Sequence, residues 1–423
     1  MKALIRGGMV LSRDGLVAAD VLTHGERVER VAPEIQAPDA VEIDAHGCLV
    51  GPGYVDVHTH LRDPGETWKE DLDSGSRAAA AGGFTAVVAM PNTSPPLHTA
   101  EDIVELRRRA EEVSLIEIGI AGALTKGRSG EAPADLDAMH REGVRIFTDD
   151  GDCVEEGPLA EDLMRAISRL PGAVFCQHAE LSSLTEGGHM HEGEVSRQHR
   201  IGGLPSRAES EIVARDLKLV ERTGARYHCQ HVSAAETVLL VADAKARGLP
   251  VSAEVTPHHL TFCDLDLTEL DPSFKMYPPL RSESDREALR SALVDGTIDV
   301  VATDHAPHAS DEKSLGFAQA PRGVIGLETA ASVVWDTIHD PHRFFKCLSI
   351  APAKLAGMPN QGQLVAAGGE ANLVVFDPRA RWTADRFLSR SWNSPYLGAD
   401  MTGRTVATIA RGRLIHQVER DRA

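Results

Sequence analysis

Tyr54-Val55-Asp56-Val57-His58-Thr59-His60-Leu61-Arg62 is the stretch from which the rest of the chain is read. It opens as an apolar run and closes in His-x-His, with an arginine two positions further on. Side chains alternate faces along an extended strand, so His58 and His60 point the same way, with Arg62 expected on that face too. Two imidazoles on one face at the end of a buried strand make half of a metal site, and zinc favours nitrogen ligands of this kind. Taken alone, the pair fits one packed and one solvated histidine equally well. Other strand ends supply the weight.

Outward from this strand, apolar runs, loops and amphipathic stretches alternate. Eight candidate strands are counted: 54–60, 84–92, 115–124, 145–150, 173–180, 226–233, 251–259 and 298–307. Helical patterns lie between them. In 99–113, Thr99 stands as a cap, Asp102 sits at capping-box spacing, and Ile103, Leu106 and Ala110 share a face. The stretches 209–222 and 284–294 behave similarly. Eight such units favour a closed (β/α)8 TIM barrel over an open sheet. The polar insertion 260–280 is expected to be a functional loop at the barrel mouth.

The first fifty or so residues carry short strands too small for a domain, and Gly51-Pro52-Gly53 punctuates them before the His-x-His strand. After Ala351-Pro352 the pattern returns to short strands, at 371–376 and 405–415. The two ends are expected to pair into one small β-sandwich module. The division expected is 1–53 and 351–423 for that module and 54–350 for the barrel.

The net charge of −19 argues against a nucleic-acid backbone or an anionic membrane as partner. An anionic substrate would have to be drawn in by local positive charge. Six scattered cysteines without a CxxC pair fit a reducing cytosol. With no apolar leader and no run of membrane-spanning length, the expected location is cytoplasmic.

Barrels of this type gather their chemistry at the C-terminal ends of the strands. The first candidate strand ends in His58 and His60, the second in Asn92 and the fourth in Asp149-Asp150. His178, His231 and Asp304 close the fifth, sixth and eighth. Each has a plain explanation alone, such as a cap for Asp149 or Asp150 or a packed core ring for His178. Together they would leave polar groups on six strand ends with nothing to bind, and buried polar groups need partners. The count suits two ions: one on His58, His60 and Asp304, a second on His178 and His231, with Asp150 bridging. Such a pair can share a hydroxide and polarise a carbonyl.

Residues 56–65, Asp-Val-His-Thr-His-Leu-Arg-Asp-Pro-Gly, resemble the opening motif of the cyclic amidohydrolases, the dihydroorotases in particular. Ala81-Gly82-Gly83-Phe84-Thr85 leading to Met90-Pro91-Asn92-Thr93 looks like their second strand. Phe147-Thr148-Asp149-Asp150-Gly151 looks like the fourth strand of the bacterial type I branch. The runs 253–260, 278–281, 302–308 and 326–330 follow in the family's order, so the similarity covers nearly the whole chain.

The resemblance implies zinc ligands at His58, His60, Asp150, His178, His231 and Asp304, with one or two Zn2+ per subunit and two favoured. Asp304 also falls at the proton-shuttling carboxylate, the catalytic residue. Many relatives bridge their metals with a carboxylated lysine, where this chain offers Asp150. The substrate-side positions carried over are His60, Arg62, Asn92, Tyr277, His308, Arg322 and Gly323, of which Arg62, Asn92 and His308 match residues that hold the substrate carboxylate. The implied activity is reversible cyclisation of N-carbamoyl-L-aspartate to L-dihydroorotate in pyrimidine (UMP) biosynthesis. In the hydrolytic direction a metal-bound hydroxide attacks the ring amide, and Asp304 passes the proton to the departing nitrogen. Two departures stand out: Tyr277 where type I relatives have Asn, and Arg322 where they have Phe.

Two rivals remain at this stage. One is another cyclic-amide hydrolase of hydantoinase or allantoinase type. The other is a non-catalytic homologue scaffolding aspartate transcarbamoylase, which would be expected to lose metal ligands. The expected partners are the small anionic substrate, a second copy in a homodimer and, by family precedent, aspartate transcarbamoylase.

Overall fold

The two ends of the chain meet in one sheet. A computed structural model describes residues 2–419. Its strand order is Arg413–Gln417, Asp400–Ala410, Leu373–Thr383, Leu49–Pro52, Lys2–Ser12, Gly15–His24 and Arg27–Ala32, with Val41–Asp44 also pairing Lys2–Ser12. The junction is antiparallel, Leu373 opposite Pro52 and Phe376 opposite Leu49. Ile5, Val10 and Val50 from the N-terminal part bury against Val375, Ala407 and Ile409 from the C-terminal part. Neither segment could bury its apolar face alone, so both are drawn to the same module.

The barrel strands are Tyr54–Thr59, Phe84–Ala89, Glu117–Ile120, Ile146–Phe147, Val174–Gln177, Tyr227–Cys229, Val251–Val255 and Val300–Val301. Neighbours pair in parallel. Single bridges from Gly122 to Phe147 and from Thr59 to His305 close the ring. All eight strands stand where the sequence puts them, but each is shorter than its apolar run. Near the rim side-chain contacts join the backbone ones, as at Thr148, whose amide donates to the Gly122 carbonyl at 3.0 Å and whose hydroxyl donates to Gln230 at 2.6 Å. One consequence corrects the sequence reading: the first strand ends at Thr59, so Arg62 is not carried by an extended strand face. Its φ of +58° turns the chain instead.

Helices cover the outside. Ala100–Val113 starts at Thr99, whose Oγ1 accepts from the Asp102 amide at 3.2 Å while the Asp102 carboxylate accepts from the Thr99 amide at 3.0 Å. Arg207–Thr223 and Glu283–Asp295 each run slightly past the expected spans. At the N-terminal end of the barrel, Ala353, Leu355, Ala356 and Met358 pack with Val55, Val88 and Val300. This apolar floor closes one end, leaving chemistry to the other. Among the described residues no helix is long and apolar enough to cross a membrane.

Candidate metal centre

At the open end, the turns after six strands bring the polar side chains together. His58 and His60 stand with their ring centroids 5.3 Å apart, and His231 lies 5.3 Å from His58. His58 Nε2 is 3.1 Å from Asp150 Oδ1, His231 Nε2 is 3.5 Å from the same oxygen, and His178 Nδ1 is 3.8 Å from it. Asp150 Oδ2 lies 3.5 Å from His60 Nε2. Ligand atoms of His58, His60 and Asp150 lie within 4.8 Å of one another, as do those of Asp150, His178 and His231. Asp150 is therefore common to two potential cation sites. Asp304 completes the cluster, 2.8 Å from His60 Nε2 and 3.6 Å from His58 Nε2. Asp304 and His231 both hold positive φ, +46° and +29°, a backbone cost of the kind found where side chains are aimed at a site.

Whether these residues fit a divalent cation can be tested on the geometry. His58 Nε2 is buried without a hydrogen-bond partner. His178 Nδ1 and His231 Nε2 face each other at 2.9 Å, two ring nitrogens converging on the Asp150 carboxylate. Asp150, Asp304 and Glu254 are all buried, and the side chains closest to them are mainly histidines. Buried carboxylates need compensating positive charge. The excess of negative charge shows in the rings, since Asp150 and Glu254 draw His58 well above its ordinary pKa against the effect of burial. Burial, reinforced by His231, instead holds His178 down at about 3. That ring is neutral at physiological pH, the form in which imidazole ligates. Burial alone would raise Asp304, but His58 and His60 outweigh it and bring the carboxyl to about 2. The donor set fits one or two divalent ions.

Beside the cluster lies a cavity of about 260 Å3, lined by His60, Arg62, Asn92, Tyr277, Arg322 and Gly323 among others. That is below the roughly 300–1,000 Å3 of pockets for drug-sized ligands, so a small molecule suits it. Arg62 is held at the rim by donating from Nε to the Pro307 carbonyl at 3.1 Å. His308 Nε2 donates to the Arg322 carbonyl at 2.8 Å, and burial and Arg62 keep the ring neutral, its pKa brought down to about 2. The Tyr277 ring has the Arg322 guanidinium 3.8 Å from its centroid and the tilted His178 imidazole at 5.0 Å. Gly323 has φ +130°, and a Cβ there would come within 2.7 Å of Ala306 and 3.1 Å of His308, so the close approach requires glycine. A larger cavity of about 540 Å3 lies at the other end of the strands, between Arg107, Arg145 and Arg411. Among the described residues, both groups able to hold an ion lie at the smaller one.

The sequence family described as Dihydro-orotase-like matches residues 47–237. A dihydroorotase of Streptomyces coelicolor is 42% identical, covering 97% of this chain and 97% of its own. A dihydroorotase of Shouchella clausii is 41% identical over 99% of each. The chain belongs to the dihydroorotase family. Solved relatives of this dihydroorotase-family chain include an L-hydantoinase (dihydropyrimidinase) from Arthrobacter aurescens. Its TM-score is 0.87 at 26% identity, over 98% of this chain and 96% of that one. A dihydropyrimidinase from Brevibacillus agri superposes with a TM-score of 0.84 at 26% identity, over 98% and 95%. The chain is an enzyme of the cyclic amidohydrolase group, with a TIM barrel and a terminal β-sandwich module.

Within this dihydroorotase-family site, several supporting contacts escape the sequence reading, those of Glu254 and Arg128 and the orienting roles of Asn92 and Asp149. Glu254 Oε1 accepts from His58 Nδ1 at 2.7 Å, fixing the tautomer that leaves Nε2 free. Its other oxygen lies 2.9 Å from His228 Nε2, and His58 and His228 hold its pKa well below the usual carboxylate range against burial. A carboxylate inside the apolar run Val251–Val255 is the signal that could have found it. Asn92 Oδ1 accepts from His60 Nδ1 at 2.9 Å, while its amide reaches Asp150 at 3.4 Å. It thus orients two cluster members besides lining the cavity. Asp149 turns away to accept from the Leu124 and Thr125 amides at 2.8 and 3.1 Å, pinning the neighbouring strand end. Arg128 donates to the Asp150 carbonyl at 2.6 Å and steadies that turn from outside.

Proposed function

We propose that the chain is a zinc-dependent dihydroorotase of the bacterial type I branch, interconverting L-dihydroorotate plus water and N-carbamoyl-L-aspartate in pyrimidine biosynthesis. The observation that carries this reading is Asp150, an aspartate rather than a lysine, lying between two histidine groups with Arg62 across the same cavity. The ligand set is His58, His60, Asp150, His178, His231 and Asp304. Its three or more nitrogen donors with carboxylates favour zinc over the harder oxygen-seeking ions, and a shared carboxylate favours two. When bound, zinc supplies Lewis acidity, activating water and polarising the ring carbonyl.

The chain's own residues do the rest. Arg62 presents a planar guanidinium to the substrate carboxylate, a geometry that a lysine does not reproduce. The side-chain amide of Asn92 completes that end, and His308 supports it from the side by donating to the Arg322 carbonyl. Asp304, ionised and 2.8 Å from the His60 ring, accepts the proton of the attacking water. It returns that proton to the ring nitrogen as the C–N bond breaks, base and then acid in one turnover. The Arg322–Tyr277 stack forms the opposite wall, a second cation near an anion that the acidic exterior would repel. Gly323 lets that wall close.

The solved hydantoinase and dihydropyrimidinase relatives motivate a second reading, hydrolysis of a ring without a carboxylate. Arg62 speaks against it, because the N–H donors of this half-buried guanidinium beyond the one on Pro307 would face an uncharged ring with no carboxylate to take them. Side-by-side turnover of dihydroorotate, hydantoin and dihydrouracil separates the two. Dihydroorotate is expected to be the faster substrate, and preference for either uncharged ring would overturn the assignment. The complete ligand set speaks against a purely scaffolding role. Assembly as a homodimer, and with aspartate transcarbamoylase, belongs to the same proposal.

A further inference from the structure

The wall carrying Tyr277, Arg322 and Gly323 is made of loop, which raises the question of what holds it still. Two lysines, both buried, lie behind it. Lys275 Nζ donates to the carbonyls of Phe317 at 2.7 Å, Ala318 at 3.0 Å and Ala320 at 2.7 Å. Lys313 Nζ donates to the carbonyls of Pro321 at 3.0 Å, Gly323 at 2.9 Å and Lys275 at 3.3 Å. An ammonium has three N–H donors and no acceptor, so each is fully used on backbone. Among the described residues neither lysine forms an ion pair with a carboxylate, although buried ammonium groups ordinarily need such compensation. The carbonyl cages provide it here. The Gly323 amide closes the lattice by donating to the Lys275 carbonyl at 2.9 Å.

We propose that Lys275 and Lys313 are positioning residues that clamp segment 317–323 onto residue 275, setting the wall formed by Tyr277, Arg322 and Gly323 at its working distance from the metal cluster. Each lysine acts as a post whose N–H donors organise the loop carbonyls; burial brings Lys275 down to about 8 and Lys313 to about 7, so the hydrogen bonds rather than a fixed charge carry the clamp. The chain direction makes the consequence specific. Lys275 lies two residues before Tyr277, and the carbonyls it holds come from the turn leading into Arg322. Releasing either ammonium frees both halves of the Arg322–Tyr277 stack without touching a histidine of the cluster. This inference rests on the dihydroorotase reading for its substrate, but not for its loop mechanics.

The test uses Lys275→Met and Lys313→Met in the full-length protein, with Lys275→Gln and Lys313→Gln retaining two donors. The clamp predicts that KM for dihydroorotate rises roughly tenfold in the methionine variants, with kcat within about threefold and bound zinc unchanged. The glutamine variants should fall between these and wild type. In wild type, the Gly323 amide should exchange slowly with deuterated solvent whether or not substrate is present. A fall in melting temperature with KM unchanged, loss of zinc, or fast exchange at Gly323 in wild type would each overturn the clamp. If wild type instead prefers hydantoin or dihydrouracil, the substrate assignment fails while the exchange measurement still judges the clamp.

Discussion

Glu254 is the residue on which the ligand geometry most depends without itself facing the cavity. It fixes the His58 tautomer through Nδ1 and also accepts from the His231 amide at 3.2 Å, so it orients members of both potential cation sites. Glu254→Gln keeps the shape but replaces one acceptor by a donor. Zinc affinity is expected to fall about 10–100-fold, as for other changes behind a metal ligand, and competition with a chelating dye would measure it. Unchanged affinity would mean that packing alone orients His58. His258 offers a separate test through pH. Chiefly by burial its ring is held at about 4 rather than 6.5, so between these values it stays neutral while the unfolded imidazole takes up a proton. The unfolded chain then binds more protons, and stability is lost as pH falls from about 6.5 to 4, at up to about 1.4 kcal/mol per pH unit. His258→Gln should lose less stability than wild type between pH 7 and 5, measured by urea midpoints. Equal losses would show that the ring titrates alike in the folded and unfolded states.

At the scale of elements, the sequence was legible where a residue's role follows from local periodicity. The Thr99 cap is such a case, because the capping box is written within four residues and the structure contains both of its hydrogen bonds. Thr99→Ala is expected to lower stability by about 1 kcal/mol with no effect on turnover, readable as a shifted urea midpoint. The alternation of strand and helix, and hence the barrel, was legible for the same reason. The candidate site was legible because barrel strands aim their C-terminal ends at one mouth, so His58, Asp150, His178, His231 and Asp304 could be gathered from their places in the alternation. Strand lengths were not. Contacts at the strand ends depend on partners far along the chain, as with the Thr148 hydroxyl and Gln230, 82 residues away. The placement of Arg62 failed likewise, because a left-handed turn after Thr59 has no signature in alternating polarity. Lys275 and Lys313 were invisible as supports because their partners are carbonyls from distant segments, while Glu254 left only the sign of a carboxylate in an otherwise apolar strand.

At the scale of the whole molecule, the apolar floor around Val55, Val88 and Met358 and the histidine–carboxylate cluster at the open end divide stability from chemistry. The cluster concentrates buried carboxylates that a cation would neutralise, so metal and fold should be linked, with bound zinc adding about 2.7 kcal/mol at a free concentration one hundred times its Kd. The acidic exterior and the local cations Arg62 and Arg322 describe a protein that repels anions generally and admits them at one mouth. The most direct test of the central claim, that six side chains from five strand ends jointly hold a catalytic cation, is dihydroorotate turnover by the purified protein before chelation, after chelation and after zinc is returned. The account predicts loss on chelation and recovery with zinc. Turnover that survives complete removal of the metal would contradict it.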